Sequence, residues 1–134
     1  MDGSSGVGKP VRAIVIDDDE LMRRIVTSAL ETLGCEIVGE ADDGEAGLEL
    51  FAQTAPDLVL LDIRMPMMDG FEALRELQQR NENAYVVMMT FMDDEASAAG
   101  SMNGGAKDLL RKDMPMQEML ARLGQHVTRL SEPG

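Results

Sequence analysis

The chain has 134 residues, 44% of them hydrophobic, and a formal net charge of -13 at pH 7. That length suits one domain with a real core and argues against a second folded unit. The acidic balance argues against a segment that grips a phosphate backbone, because nucleic-acid binding draws on clustered Lys and Arg.

Met1 to Pro10 is Gly/Ser-rich and lacks the apolar run of a signal peptide, so residues 1–10 read as a flexible leader or tag. Its GSSGVGK stretch, Gly3 to Lys9, meets the P-loop spacing as far as the lysine. Pro10 then stands where Ser or Thr should hold the metal, and no strand precedes the glycines, so the match is discounted. Residues 11–130 read as the domain and 131–134 as a C-terminal tail. No segment is long enough to span a membrane, and the expected location is the cytoplasm.

Five short β-type runs alternate with helical patterns, the signature of βαβ units around a parallel sheet. The first strand is Val11 to Ile16. A helix over about Asp19 to Leu33 follows, with Leu21, Met22, Ile25, Val26, Ala29, Leu30 and Leu33 at helical spacing and Gly34 as its stop. Asp19 suits its N-cap. Cys35, the only cysteine, precludes an intrachain disulfide and reads as a small buried thiol entering strand two, Glu36 to Ala41. A helix over about Gly44 to Gln53 should bury Leu48, Phe51 and Ala52. After Pro56 comes strand three, Leu58 to Leu61, and then a helix over about Phe71 to Asn81. That helix should turn Phe71, Leu74 and Leu77 inward and pair Glu76 with Arg80 outside. Strand four is Val86 to Met89.

The fourth helix, between Asp93 and Gly105, is weakly written. Its anchors are Ala96, Ala98, Ala99 and Met102, and Gly100 inside it costs about 1 kcal/mol relative to Ala. It is expected to be short or mobile. Strand five contains Leu109 and Leu110, and the last helix, about Met116 to Leu130, carries Met116, Met119, Leu120, Leu123, Val127 and Leu130 on one stripe. Met88 and Met89 read as core filler, whereas Met92, Met102, Met114, Met116 and Met119 suggest an adaptable partner surface. His126 reads as a surface residue, with no second His or nearby Cys to share a metal.

Polar residues close four of the apolar runs: Asp17 and Asp18 after the first, Asp62 after the third, Thr90 after the fourth and Lys112 after the fifth. In an open parallel sheet, ligands bind in the crevice outside the carboxyl ends of the strands, so these side chains should converge. Two like charges 4 Å apart repel by about 4 kcal/mol at an effective dielectric of 20, so gathering three carboxylates implies a cation. Oxygen-only donors suit Mg2+, and the hydroxyl and ammonium suit a phosphoryl group, with one aspartate available as a nucleophile. One Asp at a strand end is ordinarily a cap or turn former, but caps do not require this joint pattern.

The stretches IVIDDDE (Ile14 to Glu20), DLVLLDIRMPMMDG (Asp57 to Gly70), VVMMT (Val86 to Thr90) and GAKDLLRKD (Gly105 to Asp113) closely resemble the receiver domain of two-component response regulators. The resemblance covers about Val11 to Leu130. It implies a flavodoxin-like (βα)5 fold, a doubly wound α/β parallel sheet in order 2-1-3-4-5. It further implies that Asp62 is the phosphoacceptor, receiving its phosphoryl group from a sensor histidine kinase or a histidine phosphotransfer protein. Asp18 and Asp62 would ligate Mg2+ directly, Asp17 through a water, and Arg64 through its backbone carbonyl. Thr90 and Lys112 would each meet a phosphoryl oxygen, and Lys112 would pair with Asp62 before modification. An output domain or effector would bind the face formed by helix four, strand five and helix five, with homodimerisation on phosphorylation. The segment would be a switch and not a turnover enzyme, and would contact neither nucleic acid nor membrane itself.

Three positions depart from the family pattern. Asp113 replaces the usual proline after the lysine, as in receivers attached to helix-turn-helix output domains. Leu109 replaces the usual switch aromatic, and Phe91 replaces a small residue after Thr90, where its bulk would narrow access to Asp62. Arg64 and Met92 should flank the path of an attacking water, and neither positions water well, so slow self-hydrolysis is expected. Phe91 and Leu109 favour a competing reading, a phosphorylation-independent pseudo-receiver acting as an interaction module. The complete set of Asp17, Asp18, Asp62, Thr90 and Lys112 opposes it. An aspartyl-phosphate hydrolase would want a general acid two places after Asp62, where Arg64 stands.

Overall fold

The computed structural model describes residues 9–91 and 95–132, with the side chains of 95–98 outside that description. The elements alternate as read: β1 Arg12–Ile16, α1 Glu20–Thr32, β2 Glu36–Ala41, α2 Gly44–Thr54, β3 Leu58–Asp62, α3 Gly70–Arg80, β4 Val86–Thr90, α4 Glu95–Asn103, β5 Asp108–Arg111 and α5 Met116–Ser131. All four strand pairings are parallel, and the sheet order is β2-β1-β3-β4-β5. This is the doubly wound flavodoxin-like arrangement.

Strands buried on both faces need apolar residues at successive positions, and β3 and β4 are buried throughout. Alternate residues supply two cores. Ala13, Val15, Leu58, Leu60, Val87, Met89 and Leu110 pack under α1 and α5 with Val26, Leu30, Met119 and Leu123. Ile14, Ile16, Val59, Leu61, Val86 and Met88 pack on the other face with Leu48, Phe51, Leu74 and Leu77. The two core methionines are fillers, as expected, and Cys35 is buried, with its thiol pKa pushed up by burial.

Aspartates start three helices. Asp19, Asp43 and Asp69 accept hydrogen bonds from the backbone N–H groups of Met22, Ala46 and Glu72, satisfying donors that have no partner inside the helix. Gly34 follows α1 at φ 89°, the left-handed conformation expected of a helix stop.

Several side chains lie elsewhere than their spacing suggests. Leu21 is 65% exposed and Ala52 is exposed, because each falls at the edge of its helix's apolar stripe. Leu74 and Leu77 point inward, while Phe71 is only partly buried. No Glu76–Arg80 ion pair is present among the described residues; the pair that forms at this helical spacing is Arg24–Glu20, at 2.8 Å. Of the expected α4 anchors, Ala99 and Met102 are exposed and it is Ser101 that is buried, while the side chains of Ala96 and Ala98 are outside the described set. The glycines explain this orientation: a Cβ on Gly100 would lie 2.8 Å from the Phe71 ring and one on Gly104 2.7 Å from Leu74, so α3 occupies the space that larger α4 residues would need. Met102 and Met116 are exposed, but Met119 is core and does not belong to a surface cluster, and Met92 lies outside the described residues.

His126 is buried, not superficial. Its Nε2 is 2.8 Å from Asp108 Oδ2 at the start of β5, and its Nδ1 is 2.6 Å from the Tyr85 hydroxyl just before β4. Arg122, one turn earlier on α5, also pairs with Asp108. Burial pushes the Asp108 carboxyl up, but the hydrogen bonds from His126, Arg122 and the Leu109 backbone outweigh it and hold the group below its ordinary value. A lone histidine on a helix gives no sign of such partners, because they come from two strand starts remote in sequence. His126→Leu leaves Asp108 Oδ2 without its hydrogen-bond partner and takes one of two partners from the Tyr85 hydroxyl, which also meets Arg129, and it is expected to cost about 1–3 kcal/mol of stability in urea denaturation at pH 7. His126→Gln should recover part of that loss, and a wild-type midpoint for the leucine variant would show that the network contributes nothing.

Candidate functional site

The strand ends meet as the topology requires. Parallel pairing places β3 between β1 and β4, and β5 beside β4, so the residues that terminate β1, β3, β4 and β5 line one rim. Backbone bonds continue the ladder into the site: Asp17 N–H donates to Ala41, Ile63 N–H to Met89 and Lys112 N–H to Thr90. The first turn of α3 closes the floor. A Cβ on Gly70 would collide with the Asp62 carbonyl and the Ile63 backbone, so only glycine permits the helix to start there.

Carboxylate oxygens of Asp17, Asp18 and Asp62 lie within 4.8 Å of one another. Asp17 and Asp62 are buried, and Asp18 is exposed at the edge. Lys112, its side chain 3% exposed, places Nζ 2.7 Å from Asp17 Oδ2 and 3.1 Å from Asp62 Oδ1. The expected Lys112–Asp62 pair is therefore present, but Asp17 is the nearer partner. Asp17 Oδ2 accepts no hydrogen bond of acceptable geometry despite that approach, so its contact with the ammonium is one of charge and leaves lone-pair capacity unused. Asp17 Oδ1 accepts from Asp19 N–H at 2.8 Å, and Asp62 Oδ1 accepts from Arg64 N–H at 3.2 Å. Thr90 is buried at the end of β4. Outside the acids an open cleft of about 550 Å3 is lined by Asp18, Ile63, Arg64, Met65, Asp69 and Phe71.

Two contacts at this site carry no signal in a linear reading. Arg23, on the first turn of α1, donates to the Asp17 carbonyl at 2.7 Å and pairs with Glu40 at 3.4 Å, tying the β1–α1 turn to β2. Phe91 sets its ring over Lys112, with the ammonium 5.3 Å from the centroid.

Three carboxylates face one ammonium, and the imbalance appears in Asp62. Its pKa is raised from 3.8 to about 7, first by burial and then by the Asp17 charge, against the opposing pull of Lys112 and the Arg64 N–H. A divalent cation fits this donor set: hard oxygen ligands, a clustered negative charge and a buried acceptor atom without a hydrogen bond.

The raised value gives Asp62 a pH-dependent contribution to the stability of the metal-free protein. The unfolded chain releases the Asp62 proton near its ordinary value while the native state holds it until about pH 7, so the contribution of Asp62 to stability is full below pH 4 and is lost as pH rises to about 7. In EDTA, Asp62→Asn should remove that slope and be more stable than wild type at pH 8, by an amount on the order of a few kcal/mol. The two proteins should converge near pH 4. Parallel urea-midpoint profiles across that range would refute the charge assignment.

Comparison with known proteins agrees with the geometry. The response regulator receiver domain family matches residues 13–124. The chain is 32% identical over 114 residues to the chemotaxis protein CheY of Bacillus subtilis, covering 85% of this chain and 95% of that protein. It is 34% identical over 122 residues to the response regulator MprA of a Mycobacterium species, covering 91% of this chain but only 53% of MprA, so it spans about half the length of that relative. Among solved structures, the receiver domain of NarL from Mycobacterium tuberculosis superposes with a TM-score of 0.81 at 32% identity, covering 90% of this chain and 98% of that one. CheY in the CheX–CheY–BeF3–Mg2+ complex from Borrelia burgdorferi superposes with a TM-score of 0.84 at 26% identity, covering 94% of each chain. The chain belongs to the response regulator receiver domain family.

Proposed function

We propose that this receiver is a phosphoacceptor switch in which Asp62 takes a phosphoryl group from a phosphohistidine on a sensor histidine kinase or a histidine phosphotransfer protein. The observation that carries the reading is the buried Asp62 carboxylate 3.1 Å from the Lys112 ammonium and beside Asp17 and Asp18. In the transfer an Asp62 oxygen attacks phosphorus, the P–N bond breaks, and its electron pair returns to the imidazole. Phosphoryl transfer needs little from a protein beyond positioning and charge compensation. Lys112 neutralises one phosphoryl oxygen, and the Thr90 hydroxyl donates to another. Asp17, Asp18, Asp62 and the Arg64 carbonyl are the proposed Mg2+ ligands, with Asp17 acting through water. With Mg2+ held by these residues, its charge would keep Asp62 ionised and offset the charge of the incoming phosphoryl group.

The domain is proposed to span 11–130, between a leader and a short tail, and to act in the cytoplasm; no described helix is long and apolar enough to cross a membrane. Its readout surface is the face of α4, β5 and α5, offered to an output domain, an effector or a second phosphorylated copy. Exposed Met102 and Met116 belong to those helices.

Mass spectrometry after incubation with acetyl phosphate and Mg2+ should detect one phosphoryl group, and Asp62→Asn or EDTA should abolish it. Labelling of the variant at the wild-type rate would remove Asp62 from the account. An unlabelled wild type would favour the pseudo-receiver.

Leu109 is half-buried and packs on the core under α3. Leucine has no polar tip to favour a solvated rotamer, so the signal should travel through the loop carrying Phe91 and through α4. Hydrogen exchange with and without BeF3- should show protection rising in Glu95–Asn103 while Leu109 keeps one rotamer. An α4 already protected to the global limit, or a Leu109 that changes rotamer, would overturn this route.

A further inference from the structure

Phe91 follows Thr90 at the carboxyl end of β4 and is 55% exposed, so core packing does not account for an aromatic ring there. Its ring lies over Lys112, with the ammonium 5.3 Å from the centroid, within the reach of a cation–π attraction. The same nitrogen contacts Asp17 at 2.7 Å and Asp62 at 3.1 Å, and the lysine side chain is 3% exposed. The ammonium is thus held between two buried carboxylates and one ring, and the ring is the partner that also meets solvent. A ring attracts the cation through its quadrupole, whereas a water in its place would hydrate the ammonium and stand beside Asp62.

We propose that Phe91 is a positioning residue for the chemistry at Asp62: its ring clamps the Lys112 ammonium at the mouth of the pocket, keeps water from that side, and prolongs the aspartyl phosphate. This rests on the phosphoacceptor reading. In the hydrolysis that ends the signal, a water oxygen attacks phosphorus and the bond from phosphorus to the Asp62 oxygen breaks. The electron pair returns to the carboxylate, a water proton passes to solvent, and inorganic phosphate leaves. Phe91 acts on that step through Lys112 and through water access.

Substitution separates the ring's electronic character from its bulk. Phe91→Leu keeps an apolar cover without a quadrupole, while Phe91→Tyr and Phe91→Trp keep the π-face. In the unmodified protein, proton NMR should show the Lys112 ε-methylene shifted upfield by the ring, and the shift should vanish in the leucine variant. After labelling with acetyl phosphate and Mg2+ and removal of the donor, the leucine variant should lose its phosphoryl group about two- to fivefold faster than wild type, with tyrosine and tryptophan within about twofold of it. An unshifted Lys112 in wild type, a leucine variant with the wild-type lifetime, or a tryptophan variant that decays as fast as leucine would each overturn the clamp. Those results leave the phosphoacceptor reading standing. A wild type that takes no label refutes that reading and the lifetime role with it, while the Lys112 shift still decides whether the clamp exists.

Discussion

The structure turns on a charge imbalance that the fold itself creates. A parallel sheet aligns the carboxyl ends of its strands, so Asp17, Asp18 and Asp62 are forced into one pocket with a single ammonium from Lys112. At about 4 kcal/mol for each like-charge pair at 4 Å and a dielectric of 20, this cluster works against folding unless a cation or a proton joins it. In the absence of metal the proton does so, and Asp62 is held neutral up to about pH 7. A neutral carboxyl is a poor nucleophile. In the proposed switch, the cation that offsets the repulsion would therefore also make Asp62 reactive, linking metal binding, stability and phosphoryl acceptance in one equilibrium.

Much of the scaffold was legible because parallel strands buried on both faces need continuous apolar runs, and such runs are hard to mistake. VLL within β3 and VVMM within β4 have no competing reading once helical stretches intervene. Helix faces were less secure, because apolar spacing shows that a stripe exists but not where its edge lies. Leu21 and Ala52 sit on such edges and are exposed. In α4 the spacing was misleading: Gly100 and Gly104 let Phe71 and Leu74 press against the helix, so the glycine side faces the protein and Met102 faces outward.

Site residues followed a similar division. Asp17, Asp18, Asp62, Thr90 and Lys112 were visible because each closes an apolar run, and topology alone brings such positions together. Which partners meet within the pocket was not visible. That Lys112 lies nearer Asp17 than Asp62, that Arg23 holds the Asp17 carbonyl, and that Phe91 covers the ammonium all depend on side-chain direction at distances of a few ångströms. His126 was misread for the same reason, since Tyr85 and Asp108 are distant in sequence and adjacent only because β4 and β5 start side by side.

The same geometry shows which elements are fastened to the acidic rim. The acidic rim is tied to the sheet through the backbone bonds of Asp17, Ile63 and Lys112 to neighbouring strands, and Gly70 locks the start of α3 against the Asp62 backbone. Movement there would break ladder hydrogen bonds. At the opposite end of β5, His126 and Arg122 fasten α5 to Asp108, so α5 is also held. What remains between these fixed elements is α4, nine residues long, with glycine toward α3 and Ala99 and Met102 toward solvent. In the proposed switch, a change of charge at Asp62 would reach α4 along the chain that runs on from Phe91. Because the Phe91 ring lies over Lys112, a phosphoryl group on Asp62 would, in the proposed switch, compete with that ring for one ammonium.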